Sequence, residues 1–208
     1  MPKAKKKSEP RPSSPSRSAT SAMQGKRLRR TSTLPGDMTE AEYLARILRV
    51  NHAGEFGAKQ IYAGQLAVLG NSDVGDTLRH MAEQEEVHLE YFAGELARRR
   101  IRPTAMHPIW RVLGFALGAG TAMLGKEAAM ACTVAVEEVI DAHYEDQLHK
   151  LPAHENDLKK KIKKFQAEEL EHRDIGIDHG AERAPAYELL YRAISTGCKA
   201  AIWISKRL

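Results

Sequence analysis

Apolar residues recur at helical spacing from Thr39 almost to the C-terminus, and this pattern restricts the fold more than any other feature of the chain. No alternating run long enough for a strand occurs, and Gly or Pro clusters interrupt the pattern only at intervals. We therefore predict an all-α domain over residues 37–208, built as a helical bundle.

The helix boundaries follow from capping and breaking residues. Thr39 and Glu42 have the spacing of a capping box, Ser72 can cap the second helix, and Pro185 suits the first turn of the last one. The predicted helical stretches are Thr39–Leu69, Ser72–Arg100, Ile109–Gly125, Lys126–Leu151, Glu155–Glu182 and Pro185 to the C-terminus.

Residues 1–36 differ from this domain in composition. They contain ten Lys or Arg against the single acid Glu9, which gives about +9 and leaves about −4 of the overall +5 for the rest of the chain. Many Pro, Ser and Lys with few apolar residues predict a disordered tail. The tail could attach to anionic lipid or nucleic acid by its charge, or it could be solvated without a specific partner. No nucleic-acid function is expected for the protein, because its basic pI reflects the tail alone. The two cysteines, Cys132 and Cys198, are too few for a disulfide framework and indicate a reducing compartment.

Two Glu-x-x-His units lie inside predicted helices, Glu85 with His88 and Glu169 with His172. Residues three apart lie about 60° apart around a helix axis, so each unit presents a carboxylate and an imidazole to the same neighbour. One such unit alone is weak evidence, because Glu is common in this chain. Six other histidines lack a Glu three positions earlier and are expected at the surface or in loops: His52, His80, His107, His149, His154 and His179.

Two further glutamates strengthen the hypothesis of a metal site. Glu55 lies among small and apolar residues, and Glu137 ends the apolar run Ala128–Val136, where a buried carboxylate is costly without a counter-charge. Glu137 follows Glu55 by 82 residues, and the second Glu-x-x-His unit follows the first by 84, so the chain reads as two helical hairpins. One Glu and one Glu-x-x-His from each hairpin form the ligand set of ferritin-like di-iron and di-manganese four-helix bundles. Helical phase does not choose between Glu137 and Glu138.

The residue types suit a pair of cations. Four carboxylates and two divalent ions cancel in charge, so the reduced site is neutral and can lie in a dry bundle core. Without metal, four buried glutamates repel one another, which raises their pKa values and destabilises the bundle.

The sequence does not decide whether two apolar stretches contact the protein core or a membrane. Val112–Gly125 is an uncharged run of fourteen residues, shorter than the roughly 20 that a membrane-spanning helix needs. It fits either a buried core helix or an interfacial segment. The last helix, with Trp203 among cations, fits either a membrane surface or packing onto the bundle.

The chain from about residue 40 to 208 resembles the 5-demethoxyubiquinone hydroxylases of ubiquinone biosynthesis. The segments that carry the resemblance are Arg49–Glu55 (RVNHAGE), Ile61–Gln65 (IYAGQ), Glu85–His88 (EEVH), Ala131–Glu138 (ACTVAVEE) and Glu169–His172 (ELEH).

The resemblance implies two iron ions and a function. The implied iron ligands, with Glu137 chosen over Glu138, are Glu55, Glu85, His88, Glu137, Glu169 and His172. His143 and Tyr144 are implied to lie near the site and to help pass electrons or protons, and the helical spacing from Glu137 agrees for Tyr144. The implied reaction is hydroxylation of C6 of a demethoxylated polyprenyl quinol, the penultimate step toward ubiquinone, with O2 and a peroxo-diferric intermediate.

An apolar channel for the isoprenoid tail is expected along the Gly-rich segment, lined by Leu113, Phe115, Leu117, Met123 and Leu124. Membrane association of the family favours the interfacial interpretations. It implies a peripheral location on the cytoplasmic face of the cell membrane, or on the matrix side of the mitochondrial inner membrane in a eukaryote. A homo-oligomer or a biosynthetic complex is compatible with the sequence.

The same sequence pattern is compatible with other functions. A ferroxidase, a peroxidase or a tRNA hydroxylase of the ferritin-like group shares the ligands but does not need the apolar segment, and a metal-free membrane quinone-binding protein is the alternative from another class. The sequence does not identify the electron donor, because no nucleotide-binding Gly-rich motif occurs. NADH is a candidate.

Overall fold

A computed structural model describes residues 36–207, and within them all regular secondary structure is helical. The predicted tail, residues 1–36, lies outside the described residues except for Gly36. The six α-helices are α1 (Glu40–Leu69), α2 (Gly75–Arg98), α3 (His107–Met123), α4 (Lys126–Lys150), α5 (Asn156–Asp178) and α6 (Tyr187–Ser205), with a short 3-10 helix at Ala181–Arg183 before α6. The all-α prediction is confirmed.

The start of α1 is fixed by the predicted capping box. The Glu42 amide donates to Thr39 Oγ1 at 3.2 Å, and the Thr39 amide donates to Glu42 Oε2 at 2.8 Å. The prediction that Ser72 caps α2 is wrong. The Ser72 hydroxyl donates to the Leu69 carbonyl at 2.7 Å, so it closes the turn after α1, and α2 begins only at Gly75.

Other boundaries also differ from prediction. Pro185 does not lie in the first turn of the last helix, because it precedes Ala186, the N-cap residue of α6. α3 begins at His107, ahead of the proline that was expected to precede it, because Pro108 occupies the first turn, where a missing amide hydrogen costs nothing. α5 ends at Asp178 instead of Glu182. Gly180 adopts a left-handed conformation with φ of 87°, which ends the α-helical path and leads into the 3-10 turn.

The helices pack as two hairpins, α1 with α2 and α4 with α5, and α3 and α6 lie on the same bundle. One apolar cluster joins the N-terminal half of α1 to the C-terminal half of α2 through Leu48 and Phe92. The same cluster includes Tyr144 in the C-terminal half of α4 and Phe165 in the N-terminal half of α5. A second cluster, which includes Tyr62 and Met81, fills the other end. The midpoints of α1, α2, α4 and α5 therefore lie between two apolar clusters.

Glycines let α3 lie directly against α1. A methyl group at Gly118 would overlap the Ile61 carbonyl oxygen, and one at Gly64 would overlap the carbonyl of Phe115. The glycines of the apolar segment thus serve close helix packing, while Phe115, Met123 and Leu124 on its other side are 44%, 76% and 67% exposed. Within residues 36–207, none of the helices has both the length and the apolar character to span a bilayer.

Candidate metal centre

The six glutamates and histidines of the predicted ligand set lie at the midpoints of α1, α2, α4 and α5. All six side chains are buried, and none is more than 1% exposed. Each Glu-x-x-His unit turns its carboxylate and its imidazole toward the bundle axis, as the spacing of three predicts. Glu137 lies in this cluster, whereas its neighbour Glu138 lies outside it and accepts a hydrogen bond from the Tyr191 hydroxyl.

The cluster contains two overlapping groups of four residues. Within each group, the ligand atoms all lie within 4.8 Å of one another. One group consists of Glu55, Glu85, His88 and Glu169, and the other consists of Glu85, Glu137, Glu169 and His172. Glu85 and Glu169 belong to both groups, so two cations could share them. Each group then has one further glutamate and one histidine of its own.

The imidazoles turn their Nδ1 atoms into the cluster. His88 Nδ1 lies 3.1 Å from Glu169 Oε1, and His172 Nδ1 lies 3.2 Å from Glu85 Oε1. The Nε2 atoms point outward, where His88 meets Glu168 and His172 meets Gln84, each at 2.9 Å. With the hydrogen placed on Nε2 in these contacts, Nδ1 would keep a lone pair for a cation.

Eight inward-facing atoms of the six side chains have no hydrogen-bond partner within the described part of the chain. They are Glu55 Oε2, both carboxylate oxygens of Glu85 and of Glu169, Glu137 Oε2, and Nδ1 of His88 and of His172. Buried polar atoms without partners are costly, and a whole set that converges on one point is the pattern of a cation site. The donor set therefore fits two divalent ions.

The electrostatics of the cluster without cations are strained. Burial and the neighbouring carboxylates raise the pKa of Glu85 and of Glu137 well above the ordinary value of a glutamate. Burial also opposes ionisation of Glu169, but His172 and His88 outweigh it and lower the pKa of that carboxyl to about 2. Cations bound among these carboxylates would favour their ionised form and oppose the rise in pKa of Glu85 and Glu137.

Two tyrosines hold the outer carboxylates. The Tyr62 hydroxyl on α1 donates to Glu137 Oε1 at 2.8 Å, and the Tyr144 hydroxyl on α4 donates to Glu55. Tyr144 therefore contacts the cluster directly, where the helical spacing placed it. The contact of Tyr62 with the cluster was not predicted from the sequence, although Tyr62 follows Glu55 by seven residues just as Tyr144 follows Glu137.

His143 and His52 lie apart from the cluster. The half-buried His143 faces a cavity, and burial followed by the charge of Lys206 lowers its pKa to about 4, so its imidazole is neutral. The prediction that His52 is a surface or loop residue is wrong. Its side chain is buried on α1, and its ring packs against that of His107 at 4.9 Å.

An apolar cavity of about 490 Å³ lies between α1, α3, α4 and α6. Glu55 and Tyr144 form part of its wall, and so does Leu113, which is more than half exposed. The cavity therefore runs from the surface to the carboxylate cluster. Of the residues expected to line a channel, Leu113 and Leu117 do so, but Phe115, Met123 and Leu124 do not line this cavity and face outward, because the Gly-rich face of α3 is the one that packs on α1.

The family model for ubiquinone biosynthesis protein COQ7 matches residues 42–205, which include every helix midpoint described above. The chain belongs to the COQ7 family. The resemblance to the hydroxylases of ubiquinone biosynthesis is confirmed.

Relatives with assigned names agree with the COQ7 membership. The chain is 57% identical over 177 residues to the 3-demethoxyubiquinol 3-hydroxylase of Rhodospirillum rubrum, covering 84% of this chain and 83% of that protein. It is 53% identical over 183 residues to the human mitochondrial NADPH-dependent 3-demethoxyubiquinone 3-hydroxylase, covering 86% and 84%. The 5-demethoxyubiquinone hydroxylase of Saccharomyces cerevisiae is 40% identical over 186 residues, covering 81% and 80%.

Proposed function

We propose that this protein is a di-iron monooxygenase that hydroxylates C6 of a demethoxylated polyprenyl quinol with O2 in ubiquinone biosynthesis. The observation that carries the proposal is the cavity that joins the protein surface to Glu55 in the carboxylate cluster. An apolar quinol with an isoprenoid tail suits a cavity of this character, and the names of the relatives give the same substrate class.

The ligands of the two irons in this proposal are the six residues of the cluster. Glu55 and His88 would hold one ion, Glu137 and His172 would hold the other, and Glu85 and Glu169, which belong to both groups, would be available to both ions. This arrangement of one Glu and one Glu-x-x-His from each hairpin supports a ferritin-like fold. When bound, a pair of iron ions supplies the activation of dioxygen, for which amino-acid side chains have no suitable redox chemistry.

The chain's own residues bind and orient the quinol and control protons. The wall of the cavity excludes water from the ring and from the face of Glu55 that lines it. The hydroxyl of Tyr144 holds a proton against Glu55, and Tyr62 holds one against Glu137, which fixes the orientation of both carboxylates.

His143 and Tyr144 have separate positions in this scheme. Tyr144 contacts Glu55, whereas His143 lines the cavity with a neutral imidazole whose Nε2 has no partner among the residues described. A neutral imidazole can accept a proton from a quinol hydroxyl or pass one along. We assign His143 to proton transfer at the substrate and Tyr144 to proton transfer at the metal ligands.

The exposed apolar side chains of α3 and α6 support peripheral membrane association. They lie on the helices that border the cavity, and their members are Ile109, Val112, Leu113, Phe115, Met123, Leu124, Leu189 and Trp203. Arg207 stacks over the Trp203 ring at 3.7 Å, an arrangement suited to the headgroup level. In a eukaryote the membrane of this proposal is the mitochondrial inner membrane, and the human and yeast relatives are named mitochondrial.

The electron source in this proposal is a reduced nicotinamide nucleotide. The sequence interpretation gave NADH as a candidate, and the name of the human relative says that it is NADPH-dependent. Comparing turnover with the two nucleotides at equal concentration separates them. A homo-oligomer or a biosynthetic complex stays a prediction.

Quinone profiling tests the proposed reaction. In cells whose own hydroxylase is deleted, the wild-type chain restores ubiquinone, whereas Glu137→Ala accumulates the demethoxy precursor. Glu138→Ala is the matched control, because its side chain lies outside the cluster. Normal ubiquinone with Glu137→Ala at wild-type abundance would contradict the proposal.

A further inference from the structure

The two hairpins repeat more than the metal ligands. Glu55, Tyr62 and Gln65 on α1 correspond to Glu137, Tyr144 and Gln147 on α4, each 82 residues later. The hydrogen bonds cross between the two hairpins in the same way, because Tyr62 donates to Glu137 while Tyr144 donates to Glu55. The cluster therefore has an approximate two-fold symmetry.

The symmetry extends to the outward nitrogen of each histidine. The residue before the glutamate of each Glu-x-x-His unit reaches across to the histidine of the other unit. Glu168 Oε2 lies 2.9 Å from His88 Nε2, and Gln84 Oε1 lies 2.9 Å from His172 Nε2. The geometry is matched at both histidines.

The chemistry of these two partners is not matched. Glu168 presents a carboxylate to His88, while Gln84 presents a neutral amide oxygen to His172. Lys164 donates to the other oxygen of Glu168 at 2.7 Å, which fixes the position of the carboxylate. A carboxylate that accepts the Nε2 hydrogen makes the imidazole a stronger donor to a metal than an amide oxygen does.

We propose that the two cation positions are unequal and that Glu168, as a positioning residue, makes the one at Glu55 and His88 bind a divalent cation more tightly. The position at Glu137 and His172 is then filled second. This inference rests on the proposed metal centre, and it assigns the order of loading to two residues that are not ligands.

Exchange of the two partners gives a matched set of variants. Glu168→Gln makes both outer partners amides, Gln84→Glu makes both carboxylates, and the double exchange inverts the wild-type arrangement. None of these changes removes a ligand or alters side-chain size appreciably. Far-ultraviolet circular dichroism of each metal-free variant shows whether it folds.

Anaerobic calorimetric titration of the full metal-free chain with Co²⁺ measures the two affinities without any turnover. We expect two unequal sites in the wild type. The first affinity falls about 10- to 100-fold in Glu168→Gln, the usual effect of removing such a partner. The second affinity rises in Gln84→Glu.

Nuclear magnetic resonance of the histidine Nε2–H groups identifies the site that fills first. One equivalent of Co²⁺ should shift the His88 signal in the wild type and the His172 signal in the doubly exchanged variant, which also shows that a folded variant can regain unequal sites. Two ions bound with unchanged affinities in both single variants would overturn the inference and leave the metal centre standing. A wild-type chain that binds fewer than two ions would overturn both.

Discussion

Replacing Glu137 by Gln should stabilise the metal-free protein while weakening its response to metal. The Glu137 side chain is buried beside the carboxyls of Glu85 and Glu169, and one of its oxygens has no partner within the described residues. Gln has nearly the same shape, keeps an oxygen for the Tyr62 hydroxyl and carries no charge. The substitution therefore removes an electrostatic penalty with little change in packing.

The magnitude follows from the titration of this carboxyl. Its ordinary pKa is 4.5, and burial followed by the neighbouring carboxylates raises the pKa well above that in the folded chain. Each pH unit by which the folded pKa exceeds the unfolded one costs about 1.36 kcal/mol, to a maximum of about 3 kcal/mol at pH 7. Gln avoids this cost, so the Tm of the metal-free variant should rise, by up to about 12 °C.

The sign of the pH dependence gives a second check. A raised folded pKa means that the carboxyl destabilises the folded chain only above its unfolded pKa, and increasingly as pH rises. The gain in Tm from Gln should therefore be present at pH 7 and absent at pH 4. With metal bound the order reverses, because the variant has lost a charged ligand.

Differential scanning calorimetry of the metal-free and Fe²⁺-loaded proteins under anaerobic conditions measures these shifts. Glu138→Gln is the control, because Glu138 is only partly buried and contacts Tyr191 outside the cluster. Its Tm should change by no more than a few degrees at either pH. A Glu137→Gln variant that is less stable than the metal-free wild type at pH 7 would refute the electrostatic reasoning.

Three further predictions concern the metal, the packing and the surface. Loading the wild type with Fe²⁺ at 100 times the dissociation constant should add about 2.7 kcal/mol of stability for each site, and a chelator should remove it, as thermal scans will show. Gly118→Ala should lower the free energy of unfolding by about 1–3 kcal/mol, because the added methyl group meets the Ile61 carbonyl. Gly120→Ala should not, because the space at its Cβ is open. Denaturant unfolding compares the two variants, and equal effects would contradict the packing argument. Met123→Glu should reduce flotation with anionic vesicles while iron content stays normal, and unchanged flotation would count against α3 as a membrane contact.

Local sequence patterns sufficed for much of the fold and of the candidate site. Helical periodicity and the Thr39 capping box predicted helices that the structure contains, because both depend on residues a few positions apart. The spacing within Glu85–His88 and within Glu169–His172 predicted which side chains share a face. The structure brings these side chains together with Glu55, although their role as iron ligands stays a proposal.

What the sequence interpretation missed depends on contacts between helices. The crossed bonds of Glu168 and Gln84 need the relative rotation of α2 and α5, which no single helix specifies, although their spacing of 84 residues was a usable signal. The lining of the cavity was wrong at Phe115 and Met123 for a related reason. Hydrophobicity shows that α3 is apolar on several sides, but only the Gly-rich contact with α1 decides which side faces inward.

The crossed arrangement of the two hairpins also constrains how the protein is made. Both cation groups include Glu169, so a nascent chain that ends before α5 contains neither of them in complete form. Neither cation group can therefore be complete until nearly the whole polypeptide has left the ribosome and the second hairpin has docked on the first. A bundle completed without cations would keep the buried carboxyls at its centre in an arrangement that raises the pKa of Glu85 and of Glu137.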